Sequence, residues 1–307
     1  MNTQSIIKEI EEKYTNLGEN PETYLKGLLQ AKPLNYWDYI EVDTLLTLQK
    51  PRTNFKDEEI FIMYHQINEL TLKMMIHEIK QIIYKKEITE AFLINKMSRL
   101  NRYTKMLISS FEVMRDGMDY NDYNTFRDTL APASGFQSMQ YRLVEIYCTN
   151  IQNLISDDDK ISLPENPTIE GYFEKIYWKK AGVNTITGLK TVTLREFENR
   201  YEHRYIALAK KVQGKTIEDI ILEFENPSAE LTAVFKEFDT LYNVDWPMIH
   251  LNTAKQYLDK KDENKEATGG SEWKKYLDPK SQQRIFFPAL HSEIELINWG
   301  INLNLKK

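Results

Sequence analysis

The chain of 307 residues carries 40 Lys and Arg against 46 Asp and Glu, a formal net charge of -6, and 41% of it is hydrophobic. This balance argues against a nucleic-acid partner and against disorder. No apolar run approaches the ~20 residues that cross a bilayer, so we expect no membrane partner and a cytoplasmic location. Glycine and proline are scarce while Leu, Ile, Glu and Lys abound, which favours an all-α fold.

Apolar periodicity predicts helices along the first half of the chain. Residues 5–29 form a helical pattern that restarts after Asn20 and Pro21, where proline suits a first helical turn. Further helices are predicted over residues 36–46, 57–84 and 88–114, with a short one up to Pro132. In the longest, one stripe is interpreted as the buried face, formed by Ile60, Met63, Tyr64, Ile67, Leu70, Met74, Ile79 and Ile82.

The second half begins with a capping box at Ser134 and Gln137, which predicts the start of a helix whose apolar stripe reaches Leu154. Residues 156–167 are predicted to be a polar loop, and the tract 156–192 is a candidate insertion. Helices are predicted again over residues 169–178, 194–212, 217–224, 229–241 and 246–258. We expect residues 1–307 to form a single all-helical domain with an N-terminal helical segment of about residues 1–50.

Few side chains in this sequence are candidates for chemistry. His65 and His250 each lie in a predicted long helix among apolar neighbours. A lone histidine of this kind is usually a core residue, but facing helices of bundles also bind haem through histidine. The single cysteine, Cys148, cannot form an internal disulfide, and its place in an apolar run indicates a buried structural thiol rather than a nucleophile.

Tyr123 and Arg127 are four residues apart, so they share a helical face and together can bind a carboxylate; a surface arginine is the alternative. The predicted helix start at Ser134 and Gly135 offers backbone N–H groups to an anion. The Gly-Gly tract that begins at Thr268 is interpreted as a lid or a plain linker. An aromatic group at residues 36–40 is too large to stay exposed and packs on its own bundle or on another chain.

Five segments, in this order, resemble tryptophan 2,3-dioxygenases, an all-helical family of haem enzymes. They are residues 36–43, 57–70, 126–142, 246–250 and 268–271. The most specific is the run Pro-Ala-Ser-Gly-Phe-Gln-Ser-Met-Gln-Tyr-Arg from Pro132 to Arg142. The chain departs from the family pattern at Pro247, where arginine is common, and at Thr71, where an aromatic residue is usual. Its segment between His250 and Thr268 is also longer than expected.

The resemblance implies haem b (iron protoporphyrin IX), with His250 as the axial ligand of the haem iron and Ser134 and Gly135 close to the haem. It implies that His65 is the catalytic residue on the distal side, near the indole nitrogen of the substrate. The remaining substrate-binding residues that it implies are Phe61 in the ring pocket, Tyr123, Arg127 and Thr268 at the amino-acid end, and Tyr36, Tyr39 and Ile40 from a neighbouring subunit.

The implied reaction inserts both atoms of O₂ across the indole C2–C3 bond of L-tryptophan to give N-formyl-L-kynurenine, the first step of tryptophan catabolism by the kynurenine pathway. We expect His65 to orient the ring rather than to act as an obligatory base. The implied assembly is a homotetramer that exchanges N-terminal segments. Two alternatives stay open: a haem-dependent oxygenase or hydroxylase of another aromatic amino acid or indole derivative, and a non-catalytic helical binding protein.

Overall fold

A computed structural model of the chain describes residues 2–130, 137–184, 187–258, 274 and 277–301. The chain divides into two units, Met1–Lys50 and Pro51–Lys307. Both are helical, and within the described ranges the one pairing of extended residues is an isolated antiparallel bridge between Val183 and Lys190. The all-α prediction is therefore confirmed. No helix of the described residues combines the length and apolar character needed to cross a membrane.

The first unit consists of four helices: α1 (Thr3–Asn16), α2 (Pro21–Gln30), α3 (Tyr36–Tyr39) and α4 (Val42–Leu45). The rings of Tyr14 and Tyr24 stack 3.9 Å apart and join α1 to α2. The helix predicted over residues 36–46 is broken at Glu41, whose left-handed backbone (φ 53°) separates α3 from α4. No residue of these four helices is buried.

The second unit contains the remaining helices of the described residues. They are α5 (Lys56–Ile83), α6 (Glu90–Asp116), α7 (Tyr120–Arg127), α8 (Met139–Cys148), α9 (Asp157–Ile161), α10 (Ile169–Lys175), α11 (Tyr177–Lys180), α12 (Val192–Val212), α13 (Ile217–Leu222), α14 (Ala229–Thr240), α15 (Trp246–Leu258), α16 (Pro279–Gln282) and α17 (Glu293–Ile297). Short 3₁₀ turns follow at Asp128–Leu130, Ile151–Leu154 and Pro288–Leu290.

The long helices α5 and α6 form the centre of the second unit. Helix α5 packs against α6, α7 and α8, and α6 packs against α14 and α15. The main core lies between these helices, with Met75, Leu93 and Phe235 fully buried. A separate, smaller cluster buries Tyr64, Met114, Met118 and Phe126 where α5, α6 and α7 meet.

The predicted buried stripe of α5 is only partly correct. Tyr64, Ile79 and Ile82 are buried, as are several residues that were not assigned to the stripe, among them Leu72, Met75 and Ile76. The exposed members are Met63, Ile67, Leu70 and Met74, each 37% to 52% accessible in this chain. This 28-residue helix is apolar on two faces, and periodicity alone does not indicate which of them is covered within one chain.

Two predictions in the middle of the chain need correction. Helix α8 begins at Met139, and its N-cap is Ser138, whose hydroxyl accepts the N–H of Tyr141. The predicted cap, Ser134, lies outside the described residues. The tract predicted to be a polar loop contains helix α9, because Ser156 caps it and three aspartates occupy its positively polarised first turn.

Helix α14 continues into α15 through a π turn, Leu241–Asp245, in which the N–H of Trp246 donates to the carbonyl of Leu241. Pro247 follows at once. Proline has no N–H, and in a regular α-helix its ring would clash with the carbonyl of Asn243. The wider turn therefore lies just before the residue that cannot donate a backbone hydrogen bond in a regular α-helix.

Candidate active site

His65 lies in α5, and its hydrogen bond fixes its tautomer. Its Nδ1 lies 2.7 Å from the carbonyl oxygen of Phe61, one turn earlier. A carbonyl can only accept, so Nδ1 carries the proton and donates, and the neutral ring presents Nε2 as an acceptor. Burial lowers the pKa of His65, against the opposing effects of this bond and of Glu69. The ring is nevertheless accessible to solvent, a combination typical of a side chain that lines an interior recess.

His250 lies one turn into α15 and is the second imidazole of the site. Burial, together with a smaller electrostatic effect of His65, lowers the pKa of His250 to about 4. The ring of Phe111 in α6 packs 5.3 Å from that of His250 and 5.9 Å from that of Tyr64. At neutral pH His250 is therefore a neutral imidazole.

An aromatic wall joins α5 to α7. The ring of Phe61 lies 4.1 Å from that of His65, 6.1 Å from that of Tyr123 and 5.7 Å from that of Phe126. Phe126 is completely buried, and Arg127, the next residue, is buried as well. Burial raises the pKa of Tyr123, and the positive charge of Arg127 opposes that rise. The phenol and the guanidinium thus lie one turn apart in α7, as their spacing predicts.

Glu69 fixes the start of α8 to α5, one turn beyond His65. Its carboxylate accepts the hydroxyl of Ser138 (2.6 Å) and the amide of Gln140 (2.9 Å), and the same amide donates to the Glu69 backbone carbonyl. The chain that follows residues 131–136 is therefore held directly against the helix that carries His65.

The roles of the other predicted site residues are not tested by the described structure. Tyr36 and Tyr39, each 73% exposed, and Ile40, 39% exposed, belong to the first unit. Ser134, Gly135 and Thr268 lie outside the described residues, so their predicted roles stay predictions.

The donor chemistry at His250 fits a haem. Haem brings four of its own iron ligands and needs one neutral protein imidazole. His250 has its pKa lowered well below neutrality, and within the described part of the chain neither of its ring nitrogens has a hydrogen-bond partner. The aromatic ring of Phe111 packs against it. The residues present therefore fit this cofactor.

Two aromatic residues were missed by reasoning from sequence. Phe126 forms the back of the wall, and Tyr257 packs its ring 4.5 Å from that of Tyr123. Tyr257 follows His250 by seven residues, which is two helical turns and hence the same face of α15. That spacing is the signal that indicates it.

Comparison with known proteins gives a consistent result. The family model described as tryptophan 2,3-dioxygenase matches residues 26–167, which include the His65 helix and the pair on α7. Tryptophan 2,3-dioxygenases of Ruegeria sp. (strain TM1040) and Bradyrhizobium sp. (strain BTAi1 / ATCC BAA-1182) are 37% and 39% identical over 123 and 120 residues. These alignments cover 39% and 38% of this chain, and only 43% and 42% of the relatives' own lengths.

A longer alignment includes the His250 helix. Tryptophan 2,3-dioxygenase of Geobacillus thermodenitrificans (strain NG80-2) is 27% identical over 273 residues, which cover 84% of this chain and 90% of that relative. The two histidines, the pair on α7 and the all-helical architecture thus occur within a sequence that is similar to these proteins over most of its length. The chain is thus similar in sequence to tryptophan 2,3-dioxygenases.

Proposed function

We propose that this protein is a haem-dependent dioxygenase that cleaves the indole C2–C3 bond of L-tryptophan with O₂ and releases N-formyl-L-kynurenine. Both atoms of O₂ enter the product, so the overall reaction consumes no external reductant. One observation carries the proposal: two neutral imidazoles, a half-buried phenol and a buried guanidinium lie beside the same group of aromatic side chains.

Arg127 and Tyr123 bind the carboxylate of the substrate in this proposal. A guanidinium gives a carboxylate strong, directional hydrogen bonds, and the burial of Arg127 reduces competition from water. The proposed role of Thr268 is to complete the binding of the amino-acid end. The walls formed by Phe61 and Phe126 suit the indole ring, which is flat and largely apolar.

His65 orients the indole. Because its Nδ1 donates to the carbonyl of Phe61, its Nε2 accepts, and the indole N–H is a donor without acceptor capacity. The lowered pKa of His65 keeps this acceptor available at neutral pH. The geometry thus supports a residue that holds the ring rather than one that must remove a proton.

His250 holds haem b through its neutral imidazole, and Ser134 and Gly135 are proposed to lie close to the cofactor. When bound, haem supplies the binding and activation of O₂. The contribution of the protein is the fixed position of the substrate and the exclusion of water from the aromatic recess. The single, buried thiol of Cys148 is in keeping with the cytoplasmic location that we also propose.

We further propose a homotetramer in which the first unit of each chain contributes Tyr36, Tyr39 and Ile40 to a neighbouring site. Large aromatic side chains that stay exposed in a single chain indicate an interface. The exposed apolar face of α5 at Met63, Ile67, Leu70 and Met74 supports an association between chains as well.

Subunit mixing tests this exchange. An Arg127→Ala chain and a Tyr39→Ala chain, each of low activity as a pure protein, should regain activity when they are mixed under conditions that allow exchange, because some sites then contain both native residues. A mixture no more active than the mean of its two components would contradict the exchange, and light scattering would establish the number of chains.

The reaction itself is tested by adding L-tryptophan and ¹⁸O₂ to the reduced, haem-loaded protein and analysing the product by mass spectrometry. N-formyl-L-kynurenine with both oxygen atoms labelled is the expected product. A hydroxylated product with one labelled atom would favour the alternative of a haem-dependent oxygenase of another aromatic substrate. Absence of a Soret band after haem addition would favour the helical binding protein.

A further inference from the structure

Tyr257 ties the end of α15 to the end of α6. It is one of the buried residues, and its hydroxyl donates to the carbonyl of Met114 at 2.5 Å and lies 3.3 Å from the carbonyl of Arg115. The neighbouring Gln256 donates its side-chain amide to the same Arg115 carbonyl at 2.7 Å. Burial raises the pKa of Tyr257 to about 12, so its phenol stays protonated and remains a donor. Its hydroxyl is therefore engaged within the fold.

The ring of Tyr257 is the part that faces α7. It lies 4.5 Å from the ring of Tyr123, tilted by 53°, and 5.9 Å from that of Tyr120, nearly parallel to it. Tyr123 is half-buried, and within the described ranges its hydroxyl has no hydrogen-bond partner. The hydroxyl of Tyr257 is thus held by backbone carbonyls, whereas the hydroxyl of Tyr123 remains available to bind a ligand.

Helix α15 faces α6 at two points. The ring of His250 packs on Phe111, and Tyr257 binds the carbonyl of Met114 one turn further along α6. His250 and Tyr257 are two turns apart on the same face of α15, about 10 Å along its axis. A single helix therefore fixes both the proposed haem ligand and the support of the Tyr123 ring.

We infer that Tyr257 is a positioning residue, which holds the Tyr123 phenol in the orientation that binds the carboxylate of the substrate. The inference rests on the proposed function, because it assigns Tyr123 to the carboxylate. Tyr123 lies on a helix of only two turns, which packs against α5. Without the ring of Tyr257, the Tyr123 side chain can adopt rotamers that point its hydroxyl away from the substrate. Binding of the substrate carboxylate is then weakened.

The test compares L-tryptophan with tryptamine, which has the same indole and ammonium but no carboxylate. Dissociation constants are measured by calorimetry on the haem-loaded protein without O₂, for wild type, Tyr257→Leu, Tyr123→Phe and the double variant. We expect Tyr257→Leu to raise the dissociation constant of L-tryptophan about tenfold and that of tryptamine less than about twofold. In the Tyr123→Phe background the same change should have almost no effect.

Tyr201→Leu is the matched control, since it removes a half-buried tyrosine ring that packs on Phe197, and it should leave both dissociation constants unchanged. Thermal unfolding of each variant reports folding. If Tyr257→Leu does not fold, Tyr257→Phe takes its place; it keeps the ring but loses the anchoring hydroxyl, and we expect about threefold weaker binding of L-tryptophan alone.

If Tyr257→Leu weakened the binding of both ligands equally, the inference would be overturned and the proposed function would stand. The same holds if Tyr257→Leu weakened the binding of L-tryptophan as much in the Tyr123→Phe background as in the wild type. A Tyr257→Leu protein that binds L-tryptophan as wild type does would also overturn the inference. Failure of the wild-type protein itself to bind L-tryptophan would overturn the proposed function, and the inference would fall with it.

Discussion

The carboxylate of Asp239 lies 3.2 Å from Nε2 of His291 and is completely buried. It also accepts the backbone N–H groups of Phe286 (2.9 Å) and Phe287 (3.0 Å) and the side-chain amide of Asn243 (2.7 Å). Asp239 is in the last turns of α14, just before the π turn that leads to α15. The described C-terminal residues are thus bound to the helix that precedes His250.

Asp239→Ala should destabilise the protein by about 3 kcal/mol, because several buried donors would lose their acceptor together. Urea unfolding of the haem-free protein, followed by circular dichroism, measures this change. Asp157→Ala is a suitable control, since that carboxylate is 90% exposed and its loss should change the free energy of unfolding by less than about 0.5 kcal/mol. A loss below about 1 kcal/mol for Asp239→Ala would show that the network is not cooperative.

His250→Ala should abolish stable haem binding, because it removes the neutral imidazole proposed as the iron ligand. The measurement is the Soret spectrum after haem addition and gel filtration, with thermal unfolding as a check on the fold. His203→Ala is the matched control, since His203 is an exposed histidine of α12 and its loss should leave the spectrum unchanged. A His250→Ala protein with a wild-type Soret band and full activity would rule out the assignment.

His65→Ala should lower kcat/KM for L-tryptophan about tenfold without abolishing turnover, which is the size expected for one hydrogen bond to the indole N–H. With L-1-methyltryptophan, which lacks that N–H, the substitution should have little effect. Steady-state assays on both substrates measure the difference. Complete loss of turnover with unchanged affinity for L-tryptophan would instead indicate that His65 acts as a base.

Local signals predict much of this fold. The sequence predicts the boundaries of α2, α5, α12 and α15 within a few residues, because a cap, a proline or a run of acidic residues marks the start and periodic apolar residues mark the length. The same signals place Tyr123 and Arg127 on one helical face. The roles of His65 and His250 required the family resemblance, since periodicity does not distinguish a core histidine from a ligand.

Other features depend on contacts between distant parts of the chain. Glu145 is buried between Arg142 (2.9 Å) and Arg284 (2.9 Å), which are far apart in sequence. The pairing of Asp239 with His291 is of the same kind. Whether the exposed face of α5 is buried is a property of the assembly rather than of the α5 sequence. Such relationships leave no periodic pattern, and a single sequence does not predict them.

Glu295 makes the stability of the C-terminal helix α17 depend on pH. It binds Lys236 at 2.8 Å and accepts the N–H and the hydroxyl of Ser292 at 2.8 and 2.9 Å. The Lys236 ammonium and these bonds lower the pKa of Glu295 from 4.5 to about 2. The unfolded chain therefore takes up this proton first on acidification, so the stabilisation is complete above pH 4.5 and disappears as the pH falls towards 2.

Glu295→Gln should consequently destabilise the protein at neutral pH and have a shrinking effect as the pH approaches 3. The side chain is 45% exposed, so solvent screening limits the difference to about 1 kcal/mol or less. Urea unfolding of both proteins across this pH range measures it. Glu293→Gln removes the same charge from the same helix and should show a smaller effect at neutral pH. A difference between wild type and Glu295→Gln that grows on acidification would have the wrong sign for a carboxylate whose pKa is lowered by folding.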